Sequence, residues 1–253
     1  DRFDNDIDKV INRAINNKVV KFALICSQLS DIDKLLKIYH QYSKNMFFTI
    51  GVHPHHANEI NDGYLKKLRE LVTSNNPHAI GETGLDFFRN LSTYDEQIFA
   101  FEEQIKISID TNKPLFLHQR DSHEDFIKIL KKYSSSISKS VVHCFTGTQE
   151  QLDIYIELGC YIGITGWICD EKRNIELRKT IKNIPIERLM IETDCPYLIP
   201  KNLNDKPKNN RNEPNNLNHI VKEISKLMGI DEEILRERTF KNTVSFFDTK
   251  MPL

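Results

Sequence analysis

Apolar residues along this chain fall into short continuous runs, and between the runs they recur at the three-and-four spacing of helices. The runs 19–26 (VVKFALIC), 46–53 (MFFTIGVH), 78–83 (HAIGET), 114–119 (PLFLHQ), 140–145 (SVVHCF), 160–165 (CYIGIT) and 188–194 (RLMIETD) predict seven strands. Amphipathic stretches predict helices near 4–17, 30–43, 63–74, 93–111, 122–133, 149–158, 171–182, 214–228 and 231–247. Two helix starts carry capping pairs, Ser30 with Asp33 and Thr93 with Glu96.

Strict alternation of strand and helix implies right-handed crossovers and a parallel sheet. A (β/α)8 TIM barrel needs eight strands, each followed by a helix. Seven runs are visible and the chain opens on a helix, so the expected fold is that α/β barrel with its first strand missing from the sequence. A doubly wound open sheet accommodates seven strands and is the competing architecture. Its dinucleotide-binding form is weakened because no GxGxxG follows an early strand. Residues 1–253 read as one domain, without an internal repeat or a low-complexity tract. One connection stands apart: 200–216 (PKNLNDKPKNNRNEPNN) is rich in Asn, Lys and Pro and is longer than an ordinary loop.

Composition narrows the function classes. With 39% hydrophobic and 28% charged residues the chain can bury a core, which excludes global disorder. A formal net charge of -1 means that a polyanionic partner must meet a local basic patch. No apolar run reaches the length of a membrane span, and no signal peptide is visible. The five cysteines (Cys26, Cys144, Cys160, Cys169 and Cys195) form no CxxC pair and are expected to be reduced thiols of a cytoplasmic protein.

The candidate chemistry sits at the C-terminal ends of the predicted strands, where barrel active sites lie. His53, Glu82, His118, His143 and Asp194 each stand at such an end. A carboxylate like Glu82 on a buried strand is costly unless something neutralises it. Imidazole and carboxylate groups converging from different strands suit a divalent metal, whose charge would offset the desolvation of Glu82. By alternation His118 shares a face with Arg120, and Glu192 with Asp194. Glu192 is either a support for the ligands or half of a structural ion pair. A GxSxG elbow, a Walker A loop and a strand-end Lys for Schiff-base chemistry are all lacking.

The segments GVHPH, AIGETGLDF, HQRD, HCFTG, YIGITGW, IETDCPYL and RNEP occur in this order, and the likeness runs from about residue 3 to residue 247. With them the chain resembles the TatD family of metal-dependent deoxyribonucleases. ITGWICDEKR and the 200–216 loop are most similar to TatD proper, the branch that gives the family its name. The resemblance implies a TIM barrel of the metallo-dependent hydrolase type. It further implies Mg2+-dependent 3′–5′ exonuclease activity on DNA, notably single strands, with RNA as a further substrate and a role in DNA repair or degradation. Carried over by motif, Glu82, His118 and His143 are metal ligands, and Asp194 is a ligand or the catalytic acid–base beside Glu82. His53 becomes a contact to phosphate. Many relatives carry an HxH pair on a first strand that this sequence lacks, so one ion or two remain open, with Mn2+ or Zn2+ as alternatives to Mg2+.

Phosphodiester hydrolysis needs an activated water, neutralised phosphate charge and a stabilised leaving oxygen, which one or two divalent ions supply. Asp194 is the candidate acceptor of the water's proton. His53, Arg120, Arg173 and Arg211 are candidates for gripping phosphate, with solvated charge or structural pairing as the alternative for each. Arg211 leads because it stands in RNEP. Lys201, Lys206 and Lys208 add local basic charge, and Trp167 is a candidate for stacking a base or for core packing. The same rim would serve another metal-dependent hydrolysis, such as deacylation of an aminoacyl-RNA or cleavage of an amide. The remaining reading is an inactive nucleic-acid-binding protein. The expected partner is a nucleic acid and not a membrane, and the expected state is a monomer.

Overall fold

The computed structural model describes residues 2–207 and 209–247. Its strands are β1 (Phe22–Leu24), β2 (Met46–Ile50), β3 (Ala79–Asp86), β4 (Leu115–Arg120), β5 (Ser140–Val142), β6 (Tyr161–Ile164) and β7 (Leu189–Ile191). Its helices are α1 (Ile7–Asn16), α2 (Ile32–Gln41), α3 (Asp62–Asn75), α4 (Tyr94–Thr111), α5 (His123–Tyr133), α6 (Gln149–Glu157), α7 (Ile175–Thr180), α8 (Leu217–Met228) and α9 (Glu232–Phe247). Each predicted run has its strand, but the ends move. β3 runs on to Asp86, whereas β2, β5 and β7 stop before His53, His143 and Asp194, which therefore stand on the turns that follow.

The chain divides into two compact units. Among the described residues one comprises 23–143, 158–160 and 245–247. In it β1 to β5 follow one another across the sheet in chain order, and β2–β3, β3–β4 and β4–β5 pair in parallel. A doubly wound sheet reverses its order at a switch point, and these strands do not. All eight residues of β3 are buried, as expected for a parallel strand covered on both faces. Fully buried Phe101 and Phe126 stack with centroids 5.2 Å apart where α4 meets α5. Each such side chain is worth about 1.5–3 kcal/mol through burial.

The expected capping box at the start of α4 forms: Glu96 N donates to Thr93 Oγ1, and Thr93 N donates to Glu96 Oε2 at 2.7 Å. The expected Ser30 cap does not. Ser30 lies inside a 3-10 turn (Leu29–Asp31) that leads into α2, and neither start has a side-chain cap.

Among the described residues the other unit comprises 2–22, 144–157, 161–207 and 209–244. Here β6 pairs in parallel with β7, and Arg178 of α7 donates to Glu223 of α8 at 2.8 Å. Among the described residues no helix is long and apolar enough to cross a membrane. All five cysteines are thiols, as expected.

Candidate metal centre

β3 and β4 build the centre by lying unusually close. Gly84 is the register partner of His118, and its φ of 145° belongs to glycine. A Cβ there would sit 1.9 Å from the His118 carbonyl oxygen. Between Ile80 and Thr83 the register slips, so an extra residue is accommodated beside Glu82. Such bulges re-aim side chains next to active sites. Two glutamines of α4 fix the neighbouring strand ends. Gln104 accepts from Val52 N at 2.7 Å and donates to its carbonyl at 3.0 Å, just ahead of His53. Gln97 accepts from Asp86 N at 2.8 Å and donates to its carbonyl at 3.2 Å. Both amides are buried, and each completes backbone bonds where the ladder ends.

Three predicted histidines converge on one carboxylate oxygen of a fourth predicted residue, Glu82. Glu82 Oε1 lies 2.8 Å from His143 Nε2, 2.9 Å from His118 Nδ1 and 3.4 Å from His53 Nε2. Potential ligand atoms of His53, Glu82 and His118 all lie within 4.8 Å of one another. A second carboxylate joins them. Asp86 Oδ2 faces His55 Nε2 at 2.8 Å and His118 Nε2 at 3.3 Å, while its Oδ1 accepts from Phe88 N and Arg89 N at 3.0 and 2.8 Å.

Charge explains the cluster's protonation. Burial opposes ionisation of Glu82, but His143 and His53, with hydrogen bonds from His118 and His143, hold its carboxyl well below the usual range. Burial likewise opposes ionisation of Asp86, and the bonds from His118 and His55 overcome it, again lowering the pKa. Burial works against a charge on His118, yet its bonds to Asp86 and Glu82 raise its pKa. For His53 burial wins and the pKa falls. Its Nδ1 accepts the backbone N–H of His55 at 3.0 Å, so the neutral ring carries its proton on Nε2. In this arrangement His53 is a donor, which suits a phosphate oxygen better than a cation.

The remaining predicted residues are elsewhere along the chain. Arg120 ends β4, exposed, with its guanidinium 3.8 Å from the ring centroid of Phe88. Asp194 belongs to the unit containing β6 and β7 and has φ 52° in the turn after β7, where its carbonyl accepts from Tyr197 N. Arg173 is exposed and lies 3.5 Å from Asp170. Arg211 is buried, and its two terminal nitrogens donate to Asp6, Glu213 and the carbonyl of Arg2 at 2.7–2.8 Å. Glu192 accepts from Cys144 N at 2.7 Å. Trp167 is half-buried in a 3-10 turn after β6. Lys201 and Lys206 lie on the 200–216 loop, and Lys208 lies outside the described residues.

The pattern of strand-end polar residues does not single out Asp86 and His55. Period-two alternation from Glu82 through Gly84 reaches Asp86, so the signal for it was present. His55 carries a weaker one, as the second histidine of GVHPH.

Comparison with known proteins agrees with the geometry. The family model for TatD related DNase matches residues 1–248. A 3′-5′ ssDNA/RNA exonuclease TatD from a Rahnella strain is 42% identical, with 97% of this chain and 94% of the relative covered. The protein of that name from Escherichia coli K12 is 41% identical over the same shares. A TatD family hydrolase structure from Entamoeba histolytica superposes with a TM-score of 0.87 at 32% identity, covering 96% of this chain and 89% of that one. YjjV, a TatD homologue from Escherichia coli K12, gives 0.89 at 24% identity over 99% and 94% of the two chains, which speaks to fold alone. The fold class is therefore the one expected, an α/β barrel of the TatD and metallo-dependent hydrolase type.

Proposed function

Because this chain belongs to the family of TatD-related DNases, we propose that it is a metal-dependent exonuclease that removes nucleotides from the 3′ end of single-stranded DNA and RNA. The observation that carries the site is the Glu82 carboxylate, faced by His53, His118 and His143 with Asp86 close behind. The donors fit a divalent ion: Glu82 and His118 belong to one cluster whose ligand atoms lie within 4.8 Å of one another, and His143 Nε2 lies 2.8 Å from the same carboxylate oxygen. Glu82, His118 and His143 would hold it, and the family resemblance implies Asp194 as a further ligand or as the acid–base. When bound, it polarises the phosphodiester and makes water a stronger nucleophile. Mg2+ is the family expectation, and the imidazole share suits Mn2+ or Zn2+ equally.

The chain's own groups have distinct tasks. Asp194 takes the proton of the attacking water, together with Glu82. Asp86 orients His118 through Nε2, as carboxylates commonly fix the rings of ligating histidines. His53 donates from Nε2 to a phosphate oxygen, and Arg120 and Arg173 attract the strand. Arg211 stands in RNEP, but its engaged guanidinium favours a tie between the start of the chain and the 200–216 loop over a grip on phosphate.

We read 1–253 as one catalytic domain, because the family match runs through almost all of it. Cysteines kept as thiols favour the cytoplasm, where a role in DNA repair or degradation fits. We expect a monomer. The test is a single-stranded DNA labelled at its 5′ end. Wild type should shorten it stepwise from the 3′ end with Mg2+ or Mn2+ and stop in EDTA. An intact oligonucleotide with Mg2+, Mn2+ and Zn2+ alike overturns the proposal.

A further inference from the structure

The turn after β3 holds an exposed aromatic ring that the reading above leaves unused. Residues 87–91 read FFRNL, and Phe88 and Leu91 are 58% and 60% exposed. Exposure here does not mean looseness. Phe88 N and Arg89 N both donate to Asp86 Oδ1, and Phe87 N donates to the Arg120 carbonyl at 2.9 Å. Asp86 and Arg120 are themselves register partners in the β3–β4 ladder. The turn is thus tied to the two strands that present Asp86 and His118. Arg120 lies two residues past His118 on the same face and sets its guanidinium against the Phe88 ring. A cation backs part of the ring, and at 58% exposure the residue keeps much of its surface open to solvent.

We propose that Phe88, backed by Arg120, is the platform on which one base of a single-stranded nucleic acid stacks beside the candidate centre. This rests on the exonuclease reading. The occupant follows from the chemistry of the pair. A nucleotide joins a flat π ring to an anion, and here a π face and a cation lie 3.8 Å apart. A paired base is locked in its own helical stack, so the platform serves an unpaired strand. Base–aromatic stacking tolerates any sequence because every base has a π face. The turn is held in place before substrate arrives, so little ordering entropy is lost on binding.

The experiment is a cycle between protein and substrate. Shortening of a single-stranded oligonucleotide is followed in Mg2+, with an abasic residue placed in turn at each position near the 3′ end. On the intact oligonucleotide, Phe88→Ala should lower kcat/KM by roughly 5- to 100-fold, mainly through KM. At one position the abasic residue should slow wild type by a similar factor and slow Phe88→Ala no further. Phe88→Trp should restore the intact-substrate rate, and circular dichroism should show each variant folded. If the two losses multiply at every position, or if Phe88→Ala matches wild type, the platform is wrong while the exonuclease reading stands. A wild type that shortens no oligonucleotide overturns both.

Discussion

Glu82 Oε1 lies 2.9 Å from Nδ1 of His118, so β4 delivers an imidazole directly onto the carboxylate of β3. The other nitrogen of that ring faces Asp86 at 3.3 Å. With a carboxylate at each nitrogen, the ring satisfies both only as an imidazolium that donates twice. The protein therefore holds a positive charge of its own where a divalent ion is expected. Proton and ion compete for the same acceptors.

That competition sets a pH dependence. His118 has a pKa raised above its ordinary 6.5, burial being outweighed by Asp86 and Glu82. Its contribution to stability is complete below pH 6.5 and is lost as pH rises through the raised value. Glu82 and Asp86 are held below 4.5 and 3.8, so their contribution is complete above those values and is lost as pH falls. His53, lowered by burial, costs stability as pH drops below 6.5 and partly offsets His118. Melting temperatures in EDTA should therefore show wild type losing stability above pH 6.5, relative to His118→Gln. Parallel profiles for the two proteins on that alkaline side would rule out the imidazolium.

Gly84→Ala should be severe for so small a change. The new methyl would meet the backbone of His118, with the carbonyl oxygen at 1.9 Å and its carbon at 2.9 Å. Backbone cannot swing aside as a flexible side chain can, so β3 and β4 must part between Glu82 and Asp86. A loss of about 2–4 kcal/mol is expected in denaturant melts. The protein that still folds should lose most of its nuclease activity. Unchanged stability would mean that the strands are not this close.

The same glycine shows what the sequence conceals. The apolar runs locate every strand because a parallel strand buried on both faces must be apolar. Glu82, His118 and His143 are legible as polar interruptions at the ends of such runs. Gly84, however, reads as punctuation, and the predicted strand stops at Thr83. In the structure the glycine is required by the close approach of β4, the strand continues, and Asp86 enters the centre. Arg211 misleads in another way. Its partner Asp6 lies 205 residues away in sequence, and no local pattern reports a contact of that range.

Arg211 can be tested by salt. Its bidentate pairing with Asp6, at 2.7 Å for both bonds, predicts that Arg211→Gln, which removes both the fork and the charge, destabilises the protein by about 1–3 kcal/mol. The salt dependence of single-stranded DNA binding should stay as in wild type. Removing a true phosphate contact would instead flatten the plot of log affinity against log salt by about 0.7. Dissociation constants measured across a salt series decide between tie and grip, and a flatter plot would restore Arg211 to the substrate site.

Glu82→Gln separates a ligand from a structural ion pair. The substitution keeps the volume and removes the charge. The carboxylate is faced by three imidazoles, at 2.8, 2.9 and 3.4 Å, and its pKa lies well below normal. An amide NH2 turned toward these ring nitrogens meets donors where the carboxylate met them as an acceptor. The metal-free protein should therefore lose about 1–3 kcal/mol, seen as a lower melting temperature in EDTA. A structural pair predicts that loss too, so stability alone does not discriminate. Two further readouts do. Wild type should melt higher when a divalent ion is added, because whatever binds only the folded state stabilises it, and Glu82→Gln should lose most of that rise. Turnover of single-stranded DNA per folded molecule should fall by roughly 10² to 10³, the scale expected when a key electrostatic group is removed from a reacting centre. A variant that melts early, yet keeps the ion-induced rise and shortens DNA at the wild-type rate, would leave Glu82 as a structural carboxylate and move the metal centre away from β3.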